Sequence, residues 1–183
     1  KFKPTDKFIK EYMPYTIELG KSFIQPRYQP AENPRKGVFS LDTLWDGLGA
    51  LIVDNPDVKY FYGSVSLYLH FDQKARDLLL HFLYKYFEDK EHLIEVYNPQ
   101  SMVFDQTFHD SVLTGKCFND DFANLNKAIR ARGESIPPLI KAYMSLSSTM
   151  KTFGIGRNQN EGDNVEGIGI LLTIEDIYPS KKQ

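Results

Sequence analysis

Ile17-Glu18-Leu19-Gly20-Lys21-Ser22-Phe23-Ile24-Gln25-Pro26, followed after a basic loop by Ser40-Leu41-Asp42-Thr43-Leu44-Trp45-Asp46-Gly47-Leu48, is the stretch that decides the fold. It reads as strand, loop, helix. Residues 15–24 carry β-branched and aromatic side chains in loose alternation, as a strand does. Pro26, Pro30, Pro34 and Gly37 interrupt any regular structure across 25–37. Ser40 is a good N-cap, and Asp42 suits the positive end of the helix dipole. Leu41, Leu44, Trp45, Leu48, Leu51 and Ile52 then recur at helical spacing, and Asn55-Pro56 ends the helix. The loop exceeds the ~2–6 residues usual between a strand and a helix. It places Arg35, Lys36 and Gly37 just ahead of Ser40, where free N–H groups of a helix start favour an anion. A basic surface turn would account for the same three residues.

Outward from this stretch, the pattern repeats. Val58 to Leu69 reads as a second strand, partly buried on both faces. Asp72 can cap a helix to about Phe87, with Ala75, Leu78, Leu79, Phe82, Leu83 and Tyr86 on its apolar side. Strand, helix, strand, helix predicts parallel pairing in at least one place. Residues 1–14 read as a loop or a short helix around Lys7–Tyr12, and residues 88–119 as an irregular excursion. A helix starts at Asp120 or Asp121, points Phe122, Leu125 and Ile129 inward, and ends before Gly133. Pro137-Pro138 opens another, to about Ser147. A polar loop from Asn158 to Gly167 and a strand over Gly169–Ile174 close the chain.

Composition bounds what this fold can be. The chain has 183 residues, 42% hydrophobic and 14% aromatic, enough for one domain with a real core. Its net charge of −2 makes nucleic acid a poor default partner. Residues 1–37 hold eight Lys/Arg against four Asp/Glu, while the remainder is acidic, so an anionic partner would meet the first part. Ordinary surface variation fits the same counts. No window approaches the ~20 apolar residues of a membrane span. The single cysteine, Cys117, fits a reducing compartment. The chain opens on Lys1, which reads as part of a longer protein.

Glu18 is the first candidate for chemistry. It lies between Ile17 and Leu19, so its side chain points away from theirs, and the sequence predicts it partly buried. A carboxylate there can accept a proton; an exposed strand glutamate paired with Lys21 is the plainer alternative. The four histidines, His70, His81, His92 and His109, are too scattered for metal ligation. Arg130 and Arg132, near the end of their helix, could hold a carboxylate or simply complement the dipole. No Gly-x-Ser-x-Gly elbow, Walker loop or dinucleotide fingerprint is present.

Four segments, in order, carry a resemblance: Glu18 to Pro26; Leu44-Trp45-Asp46-Gly47-Leu48-Gly49-Ala50; Tyr60-Phe61-Tyr62-Gly63-Ser64-Val65-Ser66; and Arg130-Ala131-Arg132-Gly133 with Ile136-Pro137-Pro138-Leu139. Over about residues 15–175 the chain resembles the GNAT-like N-acyltransferases of the hemolysin-labelled group, which make the precursors of ornithine and glycine lipids. It is most similar to the Bacteroidetes glycine-lipid type. The resemblance implies an α/β GNAT-like fold, a mixed sheet with flanking helices, over residues 1–183, lacking its N-terminal strands.

It also implies transfer of a 3-hydroxy fatty acyl group to an amino acid's amine. The donor would be a phosphopantetheine thioester on acyl carrier protein, or acyl-CoA, with no bound cofactor. Partners would be the carrier protein, the amino acid, a second copy of the chain and the inner membrane surface, in the cytoplasm. By the same resemblance Glu18 and Lys21 are the catalytic pair. Arg27, Arg35, Lys36, Gly37 and Ser40 hold the phosphopantetheine, and Ser66 and Arg132 lie on the substrate side. The family has Arg where this chain has Lys21, which keeps the charge without the bidentate fork. Other readings are a non-catalytic carrier-binding module and a membrane-active hemolysin.

Overall fold

The computed structural model describes residues 1–20, 24–28, 40–157 and 165–181; side chains at 40–42, 44 and 181 lie outside that description. Strands are β1 (Phe2–Pro4), β2 (Thr16–Leu19), β3 (Tyr60–Tyr68), β4 (Ile94–Val96), β5 (Lys151–Arg157) and β6 (Val165–Thr173). The described helices are α1 (Ser40–Asp54), α2 (Gln73–Phe87), α3 (Gln106–Val112), α4 (Phe118–Ala131) and α5 (Pro138–Leu146). A four-stranded sheet runs β2-β3-β6-β5, and β1 pairs with β4 in a separate ribbon. β2 and β3 are parallel, from Thr16 opposite Tyr60 to Leu19 opposite Gly63, as the alternation of strands and helices predicts. β6 is antiparallel to both β3 and β5. The fold is thus α/β with a mixed sheet.

Two apolar layers sandwich this sheet. On one face Phe61, Val65 and Leu67 of β3 and Ile168, Ile170 and Leu172 of β6 meet Leu79, Phe82 and Leu83 of α2 and Ile140 and Tyr143 of α5. Trp45, Leu48 and Ile52 of α1 cover the margin of that layer, with Trp45 edge-on to Tyr143. The opposite face carries Tyr62, Leu171 and Phe153. It is roofed by Phe2 and Ile94 of the ribbon and by Phe8 of a π-helical turn (Phe8–Tyr12). β6 is buried on both faces because it is covered from both sides.

Local chemistry sets most boundaries. Asp72 accepts the Ala75 N–H at 2.9 Å and starts α2; Pro138 occupies the first turn of α5, where its missing N–H costs nothing. Several sequence expectations need correction. Residues 2–4 form a strand because β4 lies beside them, and β4 itself lay inside the supposed irregular excursion. The β5–β6 hairpin is longer than the one strand expected, with β6 starting at Val165. α4 starts at Phe118, capped by Cys117, whose Sγ accepts the Asp120 N–H. Leu51 is exposed, since Trp45, Leu48 and Ile52 define a narrower stripe that it does not share. Among the described residues no helix is long and apolar enough to cross a membrane.

Charged ties lock the roof and the helix ends. Glu91 accepts from Lys7, Lys151 and Tyr12, joining the π-helical turn to β5. Hydrogen bonds from Lys7 and Lys151 hold its carboxyl down at about 2, from an ordinary 4.5. Arg132, with a hydrogen bond, and the Ala75 N–H hold Asp72 at about 2, from 3.8. Burial lowers His81 and His109, which stack at 5.0 Å, below their ordinary 6.5. All four shifts have one sign: the unfolded chain binds the extra protons. The histidine contribution is complete above pH 6.5 and fades as pH falls through the lowered folded values. The carboxylate contribution is complete above about pH 4.5 and fades towards pH 2. Thermal melts from pH 8 to pH 2 are expected to fall in two stages accordingly; a flat profile between pH 5 and pH 2 would mean the carboxylate ties are absent in solution.

Candidate active site

The ends of β2 and β3 open a cleft of about 1390 Å³. Strand periodicity explains its composition. Both faces of β3 contribute, Ser64, Ser66 and Tyr68 from one side and Val65 and Leu67 from the other. The described pairing with β2 stops at Gly63, so β3 runs on for five residues through the cleft wall. On the helical side the wall is mostly apolar, made by Phe71, Pro137, Pro138 and Leu139 beside Val65 and Leu67, with Glu134 and Ser135 among them. On the ribbon side Thr16, Glu18, Tyr62, Ser64 and Ser66 make it polar, beneath Phe2, Phe8 and Met13.

Glu18 stands where the two sides meet. Ile17 and Leu19 pack onto the helical core, and Glu18 points the other way into the cleft, as its strand position predicts. It is exposed rather than partly buried, because β2 is the edge of the described sheet. Among the described residues its side chain makes no hydrogen bond or ion pair, and its carboxylate faces the cleft. Tyr62 lies opposite it in register. Burial and then the Glu18 charge push the Tyr62 phenol well above its ordinary 10, so it is an O–H donor at neutral pH.

The other sequence candidates separate. Ser66 is exposed in the same cleft. Arg27 sits in a short turn (Pro26–Tyr28) with its guanidinium 4.8 Å from the Tyr28 ring centroid. Lys21, Arg35, Lys36 and Gly37 lie outside the described residues; Ser40 begins α1, but its side chain is likewise outside. Arg132 is engaged elsewhere: Nε and Nη2 both reach the Asp72 carboxylate, bracing the end of α4 against the start of α2. Glu134 completes that brace by accepting the Asp72 N–H at 3.0 Å and lines the cleft.

Sequence reading passed over Tyr62, Thr16 and Lys1 as site residues, although all three line the cleft; His70, which follows a strand and could sit at a strand end near a site, lines it too. Alternation along β3 was the available signal for Tyr62, which shares its face with Ser64 and Ser66. Among the described residues no cluster of His, Cys, Asp or Glu could hold a metal ion.

Fold and site together define an α/β protein with a cleft at a parallel strand pair, polar around Glu18 and mostly apolar on the helical side, where Glu134 also lines it. Among curated proteins the chain is similar to "Glycine N(alpha)-acyltransferase" of Phocaeicola vulgatus, at 44% identity over 181 residues, which are 99% of this chain and 55% of that protein. It is also similar to "Glycine N(alpha)-acyltransferase" of Bacteroides thetaiotaomicron, at 46% identity over 184 residues, 99% of this chain and 53% of the relative. The chain thus spans about half the length of the curated relatives it matches. No family model matches it, and no solved structure does.

Proposed function

We propose that this chain forms the acyl-transfer site of an amino acid N-acyltransferase that takes its acyl group from a phosphopantetheine thioester. One observation carries the reading: a carboxylate with no side-chain partner among the described residues, Glu18, at the junction of a polar and a mostly apolar wall in a single large cleft. Transfer to an amine needs this division. The acyl chain requires an apolar wall, and Val65, Leu67, Phe71 and Leu139 offer one. The attacking amine must shed a proton beside the thioester carbonyl, and Glu18 is placed to take it, directly or through a water. The amine nitrogen bonds to the carbonyl carbon, the carbon–sulfur bond breaks, and the thiolate leaves and is protonated. Tyr62, an O–H donor beside Glu18, can hydrogen-bond the carbonyl oxygen as it gains charge. The similarity to two proteins named for glycine acylation supports glycine as acceptor.

An acyl carrier protein is the preferred donor, since the basic first part of the chain would meet its acidic surface. Acylated glycine would be lipid-like, which places the product at a membrane surface. The full-length protein, given 3-hydroxyacyl carrier protein and a panel of amino acids, is expected to release thiol only when an amino acid is present. Mass spectrometry should then find the N-acyl product. Carrier binding without thiol release would replace this reading with that of a binding module.

A further inference from the structure

A free amino acid brings a carboxylate as well as an amine, and a carboxylate leaving water needs a cation or several donors. Lys1 is the one Lys or Arg among the described residues that line the cleft; Glu18, Glu134 and His70 are the other titratable groups there besides the tyrosines. The Lys1 ammonium makes no ion pair among the described residues, whereas Lys3, Lys7, Lys85 and Lys151 each have a carboxylate partner.

Gly167 seats Lys1, and Gly169 seats the Phe2 ring beside it. A Cβ on Gly167 would come within 2.8 Å of Lys1 Cδ and 3.4 Å of its Nζ, and within 2.8 Å of Ser64 Oγ. The lysine stem therefore lies flat across β6, with the Ser64 hydroxyl beside it. Gly169 makes the same allowance for the Phe2 ring, which would stand 3.0 Å from a Cβ there. Seated this way, Lys1 shares a sheet face with Glu18. Glu18 is in register with Tyr62, Tyr62 with Leu171, and Ser66 with Gly167, so all five project from that face. Strand spacing puts the Cα atoms of Glu18 and Gly167 roughly 16 Å apart. The Lys1 ammonium already lies at Gly167, so the Glu18 side chain spans part of that distance and a small zwitterion the rest, with the Ser64 and Ser66 hydroxyls between them.

We propose that Lys1 binds the carboxylate of the amino acid acceptor, setting its amine at Glu18. The assignment rests on the acyltransferase reading of the cleft and adds the group that distinguishes an amino acid from a simple amine. The test compares glycine with glycinamide, which has the amine and lacks the negative charge. In the full-length protein, Lys1→Gln is expected to raise the KM for glycine about ten- to a hundredfold. The kcat for glycine, the KM for glycinamide and the thermal midpoint should stay near the parent values. Lys1→Arg, which keeps the charge, should recover most of the glycine KM. An unchanged glycine KM in Lys1→Gln, or an equal loss for both acceptors, overturns the assignment while leaving the acyltransferase reading intact. A parent protein that acylates neither amine overturns both.

Discussion

Replacing Glu18 by glutamine is expected to lower kcat/KM for amine acylation by about 10²- to 10⁴-fold, the usual worth of a positioned general base. The amide is nearly the same size but cannot take a proton at neutral pH, so the loss should fall on kcat rather than on binding. The fold should survive, because Glu18 is exposed at the edge of the described sheet and has no partner among the described residues. Its two strand neighbours, Ile17 and Leu19, keep their packing in the variant. Steady-state kinetics and thermal melts of the variant and parent check both halves. A variant that acylates glycine at the parent rate would move proton acceptance to another group, and Glu18 would then be a surface residue of the cleft.

Asp121→Ala is expected to destabilise the protein by about 3–5 kcal/mol, since it strips one partner from a buried ion pair. Asp121 is fully buried in the first turn of α4. Its carboxylate accepts from Lys85 Nζ at 2.8 Å, Tyr86 Oη at 2.7 Å and the Gly115 N–H at 3.2 Å. Burial alone would raise its pKa, but these hydrogen bonds and the Lys85 charge outweigh it and hold the group below its ordinary value. Without the carboxylate, Lys85 keeps the Leu113 carbonyl, at 3.2 Å, and its place over the Tyr86 ring, but loses its charged partner, and Tyr86 loses its acceptor. The residues between α3 and α4 then come loose from α2. Urea unfolding should show a lower midpoint at an unchanged slope. A change below 1 kcal/mol would mean that water already replaces these bonds in the native protein. Acylation per folded molecule should be unaffected, which separates this variant from Glu18→Gln.

The two substitutions mark different kinds of legibility. Glu18 could be oriented from its neighbours, because a strand alternates whatever it packs against. Asp121 could be placed only near a helix start, where acids are ordinary. Its burial depends on Lys85 and Tyr86, 36 and 35 residues away in the chain, which arrive from α2. Arg132 shows the same limit: near the end of its helix it could hold a ligand carboxylate, and the fold supplies Asp72 instead, 60 residues away.

By itself the sequence determined the strand pair around which the cleft forms and the described helices other than α3, which lay inside the supposed irregular excursion. Asp72, Pro138 and the apolar stripe of α2 act within one or two turns, so their consequences are local and readable. The β2–α1–β3 order implied a parallel pair for the same reason: the connection leaves little choice. Only the tertiary structure decided the rest. β1 and β4 are three residues each and become strands by meeting one another across the chain. β5, with Gly154 and Gly156 in its middle, has no alternation to read and is a strand because β6 lies beside it. Which side chains share the cleft is a matter of register. Lys1, Glu18 and the β3 residues Tyr62 and Ser64 come from three separate segments, and their common face exists only once β2, β3 and β6 are aligned and two glycines let the first residues lie on the sheet.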